Sequence, residues 1–313
     1  MNKDTEIIFI NKGTSWFLPY VIHQARHASP ASEVVLIADR DLCRGIRCEL
    51  LDSLESDDLA DFRKSYVHMS TNPEQFELFC WERWFYLRNY MREKGVGSVL
   101  YLDSDVLLYS SVEEITDAYP GVTWRCGLSA PKQGPASGHI SYWTLGMLED
   151  YCDFTITTFR ERRYLAIYEE KWQRHVAGNE PGGVCDMTTL HLFYESRRDR
   201  VMNLARRGEG GVFDNNMNSG SNYEEDEYLT AEGIKRIKFI GECPFFLGSV
   251  PSGSPVRAHA LHFQGSAKMQ IRRFYTGPPF PGRNRSDAVF LYHYLARTLG
   301  RRARRLCSND PTP

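Results

Sequence analysis

The chain is 313 residues long, carries 38 basic and 40 acidic side chains for a formal net charge of −2, and is 42% hydrophobic and 13% aromatic. Charge so nearly balanced offers no bulk attraction to nucleic acid, and this much apolar and aromatic content excludes a disordered chain. No apolar run reaches the ~18 residues of a helical membrane span, and the run at 7–10 is too short for a signal peptide, so a soluble, cytoplasmic protein is expected.

In chain order, a strand is predicted over 6–11, ending at Asn11, followed by a helix over 16–27 with Ser15 as N-cap and Pro19 in its first turn. An apolar strand over 33–39 ends at Asp39, and a weaker third strand is read at 65–69. A long helix rich in aromatic residues covers 73–94, Gly95 and Gly97 end it, and a fourth strand follows at 98–102. Strand alternating with helix predicts an α/β protein with a mainly parallel sheet and helices on both faces. The second half is less regular. Helices are expected at 142–159, 161–175 and 186–196, short strands near 201–204, 211–214, 237–240 and 258–263, and a terminal helix at 288–305, with 206–232 as mobile surface loops. The eight cysteines form no CxxC pair and read as structural thiols.

The most informative segment is Ser98-Val-Leu-Tyr-Leu-Asp-Ser-Asp-Val-Leu-Leu-Tyr109, where Asp103 and Asp105 interrupt an apolar run. Two carboxylates buried so close together are costly without a cation. In a continuous strand, residues two apart face the same side, so both could address one divalent ion. Ligands of parallel sheets lie beyond the carboxyl ends of the strands, where Asn11, Asp39 and Asp103 all fall. A second cluster, His262-Phe-Gln-Gly-Ser-Ala-Lys268, follows an apolar strand. An imidazole joined to Asp103 and Asp105 would leave open positions on Mn²⁺ or Mg²⁺ for phosphate oxygens, Gly265 would permit close backbone approach, and Lys268 would offset further negative charge. Arg83, among bulky apolar residues of the long helix, either lays its stem over the core or reaches toward the same site.

Phe79-Cys-Trp-Glu-Arg-Trp-Phe, the hydrophobic-flanked Asp103-Ser104-Asp105 and the late His-Phe-Gln-Gly-Ser-Ala-Lys together resemble nucleotide-sugar glycosyltransferases of the GT-A fold, in particular the glycogenin and lipopolysaccharide galactosyltransferase group. The resemblance implies a single Rossmann-like GT-A domain over 1–313, with a mainly parallel mixed sheet. Its nucleotide-sugar half would be 1–115, its acceptor-side half 116–285, and its C-terminal helix and tail 286–313. It implies Asp103, Asp105 and His262 as metal ligands, Gly265 and Lys268 on the diphosphate, and Arg83 and Ser104 at the donor. The usual Pro-Trp after the lysine is replaced by Met269-Gln270, which marks a divergent relative.

The implied reaction moves a sugar from a nucleoside-diphosphate donor, UDP by resemblance, to the hydroxyl of a glycan or glycoconjugate, with retention favoured by the late signature. Asp186, after Gly182 and Gly183, is the candidate acceptor-side carboxylate or else an N-cap. Asp214 is a further candidate, and Glu149 and Asp150 read as a solvated helix face. Asp39 is a candidate acceptor for a base N–H or ribose hydroxyl, and Tyr101 or Phe17 for stacking on the base. Five arginines at 297, 301, 302, 304 and 305 suggest either a solvated basic helix end or peripheral contact with an anionic membrane. The competing readings are a nucleotidyltransferase that makes nucleotide-sugars and a non-catalytic sugar-nucleotide-binding protein.

Overall fold

The structure, a computed structural model, describes residues 5–120, 123–225, 227–249 and 253–307, with side chains up to 296. The first half runs β1 (Glu6–Asn11), α1 (Leu18–Ala28), β2 (Val34–Ala38), β3 (Arg47–Leu50), α2 (Asp57–Ser65), α3 (Glu74–Lys94), β4 (Ser98–Leu102), β5 (Val106–Leu108) and α4 (Val112–Asp117). Next come β6 (Cys126–Ser129), β7 (Ser137–Thr144), α5 (Leu145–Thr158), α6 (Arg162–Gly178), α7 (Asp186–Ser196), β8 (Val201–Asn203) and β9 (Val212–Phe213). The last part holds β10 (Thr230–Ala231), β11 (Ile234–Lys235), β12 (Ile237–Ile240), β13 (Cys243–Phe246), β14 (Val256–His262), α8 (Ile271–Phe274) and α9 (Arg283–Cys307).

The main sheet has the order β3-β2-β1-β4-β7-β6-β8, and β7 alone runs against the other strands. This is the mainly parallel mixed sheet, with helices on both faces, that the sequence predicts. Strand periodicity explains the layering. Ile7, Phe9, Leu36, Leu100 and Leu102 point into one core with α1, whereas Ile8, Ile10, Val35, Ile37, Val99 and Tyr101 point into another with α2, α3, α5 and α7. Both faces are therefore apolar, and the central strands read as continuous hydrophobic runs. A second sheet, β12-β13-β14-β5 with β9 beside β14, packs on the α1 side.

Four expectations are corrected. The third strand is Arg47–Leu50, not 65–69; residues 57–65 are helical, and the chain after them makes one bridge, Ser70 to Gly183. Residues 142–144 belong to β7 rather than to the following helix. The 206–232 stretch is not simply surface loop, because Val212, Phe213, Asp214, Met217 and Asn222 are buried in it. Asp103-Ser104-Asp105 does not continue a strand. It forms a turn, with the Val106 amide donating to Asp103 at 3.1 Å, through which the chain leaves one sheet for the other. The terminal helix exists, but the five arginine side chains lie outside the described residues. Among the described residues, no helix is long and apolar enough to cross a membrane.

Candidate metal and donor site

The turn at 103–105 is pinned from both sheets. The Asp103 amide donates to His139 O of β7 at 2.8 Å, and the Phe263 amide donates to Asp105 O at 2.9 Å. Antiparallel register sets His262 opposite Val106, one residue beyond Asp105. Sheet pairing thus joins residues far apart in sequence, and Asp103, Asp105 and His262 each offer a ligand atom within 4.8 Å of the others. His262 Nε2 lies 3.6 Å from Asp105 Oδ1, and Lys268 Nζ lies 3.1 Å from Asp105 Oδ2. His262 Nδ1 donates to the Asn215 carbonyl at 2.8 Å. A carbonyl can only accept, so Nδ1 carries a proton and Nε2 is the ring atom turned toward the carboxylates. Two carboxylate oxygens and one imidazole nitrogen are a donor set that would suit Mn²⁺ or Mg²⁺.

On the other side, Arg83 of α3 joins two carboxylates. Its guanidinium donates to Asp103 Oδ1 and to Asp186 Oδ2, each at 2.7 Å, and packs 4.8 Å over the Trp84 ring. Burial works against ionisation of Asp103, but the Arg83 charge, the neighbouring His262 and the Tyr101 hydroxyl outweigh it and hold the carboxyl below its ordinary value. Asp186 opens α7 at its first residue, and Cys185 is the N-cap. Asp186 is buried and also accepts from Trp84 Nε1 at 3.2 Å, so both contacts fall on Oδ2.

The remaining candidates divide. Tyr101 cannot stack on a base: its ring is buried against Trp84, and only the hydroxyl reaches the site, donating to Asp103 at 2.7 Å. Asn11 closes the loop after β1 by donating to Gly13 O at 2.8 Å. Asp39 accepts from the Gly13 amide and pairs with Arg40, which holds its carboxyl below the ordinary value. Ser104 is half-buried in the acidic turn. Gly265 adopts φ +57°, a left-handed conformation a side chain would strain, and a Cβ there would meet Asn218 Nδ2 at 4.0 Å. Phe17 lies 5.5 Å beneath the Lys268 ammonium. Glu149 and Asp150 make surface pairs with Arg92 and Arg197. Asp214 is fully buried and binds the backbone of His262 from behind instead of lining the site.

Two groups escaped the sequence reading. His139 stacks on His262 with ring centres 4.0 Å apart, and Trp84 holds Asp186. No motif marked His139, because β7 itself went unrecognised. Beside Lys268 opens a cavity of about 920 Å³ between the loop before α1, the loop after β2 and the start of α9, with Trp16, Phe17, Arg44, Gly265, Arg285 and Val289 on its walls.

No family model and no curated relative matches the chain. Among solved structures it is similar to the bifunctional glycosyltransferase WbbM (10% identity, 92% of this chain and 52% of that one, TM-score 0.46), so it spans about half the length of WbbM. It is similar to the galactosyltransferase LgtC in complex with donor and acceptor sugar analogs (16%, 90% and 99%, 0.42) and to mouse xyloside xylosyltransferase 1 (11%, 64% and 85%, 0.41).

Proposed function

We propose that the protein is a metal-dependent glycosyltransferase that moves a sugar from a nucleoside-diphosphate sugar, UDP-linked by the sequence resemblance, to a hydroxyl of a glycan or glycoconjugate. One observation carries the reading. The acidic turn and the late histidine, which resemble a metal-diphosphate site in sequence, converge within 4.8 Å, with Lys268 on Asp105.

Held by Asp103, Asp105 and His262, a divalent cation would neutralise the charge that develops on a departing diphosphate. The chain's own residues do the rest. Lys268 pairs with Asp105 at 3.1 Å; with a cation on that carboxylate, its ammonium would be available to a phosphate oxygen. Arg83 and Asp186 form a donor–acceptor pair suited to sugar hydroxyls, and Asp186 Oδ1 remains outside the contacts to Arg83 and Trp84. A pyrophosphate held by such a cation would have a polar flank toward Arg83 and an aromatic-walled flank toward the cavity by Lys268. The sugar belongs on the first and the nucleoside on the second, and the cavity volume lies within the usual range for small-molecule sites.

The test is a thermal-shift series with UDP and GDP, with and without Mn²⁺. Stabilisation by UDP that requires Mn²⁺ is expected, and at 100 times Kd a ligand of the folded state contributes ~2.7 kcal/mol. Asp105→Ala should abolish the coupling; an unchanged shift in that variant removes the metal assignment. UDP binding without any sugar transfer or donor hydrolysis favours a binding protein, and nucleotidyl transfer from a nucleoside triphosphate favours the nucleotidyltransferase reading. Proton NMR of the first-formed product should show the donor's anomeric configuration; the opposite configuration excludes retention.

A further inference from the structure

We propose that the buried Asp214–Lys235 pair and the His139 ring are positioning residues that fix the imidazole of His262 in its ligating tautomer before any cation arrives; this rests on the metal-site reading above. The pair is the observation that needs explaining. Asp214 Oδ1 and Lys235 Nζ meet at 2.6 Å, and both side chains are 0% exposed. Such a pair is expensive to bury, and an apolar pair of similar volume commonly serves stability as well or better. Its remaining hydrogen bonds hold His262 and the segment that lies against it. Asp214 Oδ2 accepts the His262 backbone N–H at 3.0 Å, Asp214 Oδ1 accepts the Asn216 amide at 3.2 Å, and Lys235 Nζ donates to Asn216 O at 2.8 Å. The segment between wraps the histidine: Asn215 O takes its Nδ1 proton, and the Met217 amide donates to its carbonyl at 2.9 Å.

The open face of the imidazole is closed by His139. The two rings are stacked within 16° of parallel, and His139 is itself fixed, its Nε2 donating to Asp214 O at 3.1 Å and its Nδ1 bonding Ser137 Oγ at 2.8 Å. Rotation of His262 about its ring bond would break the Asn215 bond and collide with His139. The Asp214 and Lys235 side chains and the His139 ring reach the cation site through His262; the His139 carbonyl also pins the Asp103 amide, a backbone bond that a change of side chain leaves in place. Partners that orient a metal-bound histidine are commonly worth 10- to 100-fold in metal affinity.

The test uses the full chain and three variants, His139→Ala, His139→Phe and the double variant Asp214→Asn with Lys235→Met. The readouts are Mn²⁺ affinity by electron paramagnetic resonance and the ring-nitrogen NMR signals of His262 without metal, assigned by their loss in His262→Gln. The wild type should show the Nδ1–H form alone. His139→Ala and the double variant should mix in the Nε2–H form and weaken Mn²⁺ binding ~10-fold or more, and His139→Phe, which restores a flat ring, should recover most of that loss. Folded variants should keep the wild-type near-ultraviolet circular dichroism spectrum, which a general loss of structure would not allow. A wild type lacking the single tautomer, a wild type that binds no Mn²⁺, or folded variants with unaltered Mn²⁺ affinity each overturn the inference. If the double variant does not fold, the two His139 variants decide it. Normal tautomer and Mn²⁺ results combined with UDP binding indifferent to Mn²⁺ would instead sink the transferase reading and leave the positioning role standing.

Discussion

Arg83 carries one positive charge between two carboxylates. Its side chain is 13% exposed, in a setting where breaking an ion pair by removing one partner costs about 3–5 kcal/mol because the other charge stays buried. Arg83→Ala should therefore lower unfolding free energy by about that amount in urea denaturation. Arg83→Lys should recover only part of it, since a single ammonium cannot reproduce a fork that reaches Asp103 and Asp186 together. A variant as stable as wild type would show that the two carboxylates are solvated enough not to need the guanidinium. The residue identity was legible in sequence as an arginine among aromatics. Its two partners were not, because one comes from the end of β4 and the other from the start of α7.

At the scale of elements, the packing of β7 on α3 shows how much rests on one missing side chain. A Cβ at Gly138 would lie 2.4 Å from Trp84 Cη2, and Trp84 is fully buried. Gly138→Ala should thus destabilise by about 1–3 kcal/mol, the range for overpacking a core. It should also displace the indole that donates to Asp186, so the urea midpoint and the binding of an intact UDP-sugar should fall together while binding of UDP alone changes little. Equal losses for both ligands would mean that the shift of Trp84 spreads beyond the Asp186 side. Elements with strong, regular patterns were readable: β1, α1, β2, α3, β4 and α7 all formed where apolar periodicity and glycine punctuation put them. The misses have a common cause. β3 reads Arg-Cys-Glu-Leu at a partly exposed sheet edge and carries no apolar run, while β7 is contiguous with α5, so its aromatic residues merged into a helical pattern. Pairing decided both, and pairing depends on neighbours that a local window does not contain.

For the molecule as a whole, buried histidines set the acid limit of stability. Desolvation, aided by Arg257 and opposed by Glu114, lowers His259 from 6.5 to about 4. The unfolded chain therefore binds a proton that the folded one refuses, so this contribution is complete above ~6.5 and is lost as pH falls toward 4, by up to ~3 kcal/mol. His139, held well below its ordinary value by burial and by the adjacent His262, acts with the same sign. Urea midpoints should fall steadily between pH 7 and 5, and His259→Asn should flatten that slope. An equally steep slope in the variant would assign the effect elsewhere.

The sequence by itself determined the fold class, because alternating strand and helix periods leave few ways to bury two apolar faces of one sheet. It also determined which groups are available to the proposed site, because two carboxylates at a strand end, an imidazole and a lysine could hold a cation and a phosphate if brought together. Tertiary structure alone decided that they do meet, through the antiparallel register of β5 with β14, and that Asp214 supports His262 rather than lining the site. It alone decided that Tyr101 contributes a hydroxyl and not a ring. The physical reason is that residue type fixes what a group can do, whereas strand register and desolvation, both set by distant partners, fix which groups are near enough to do it together.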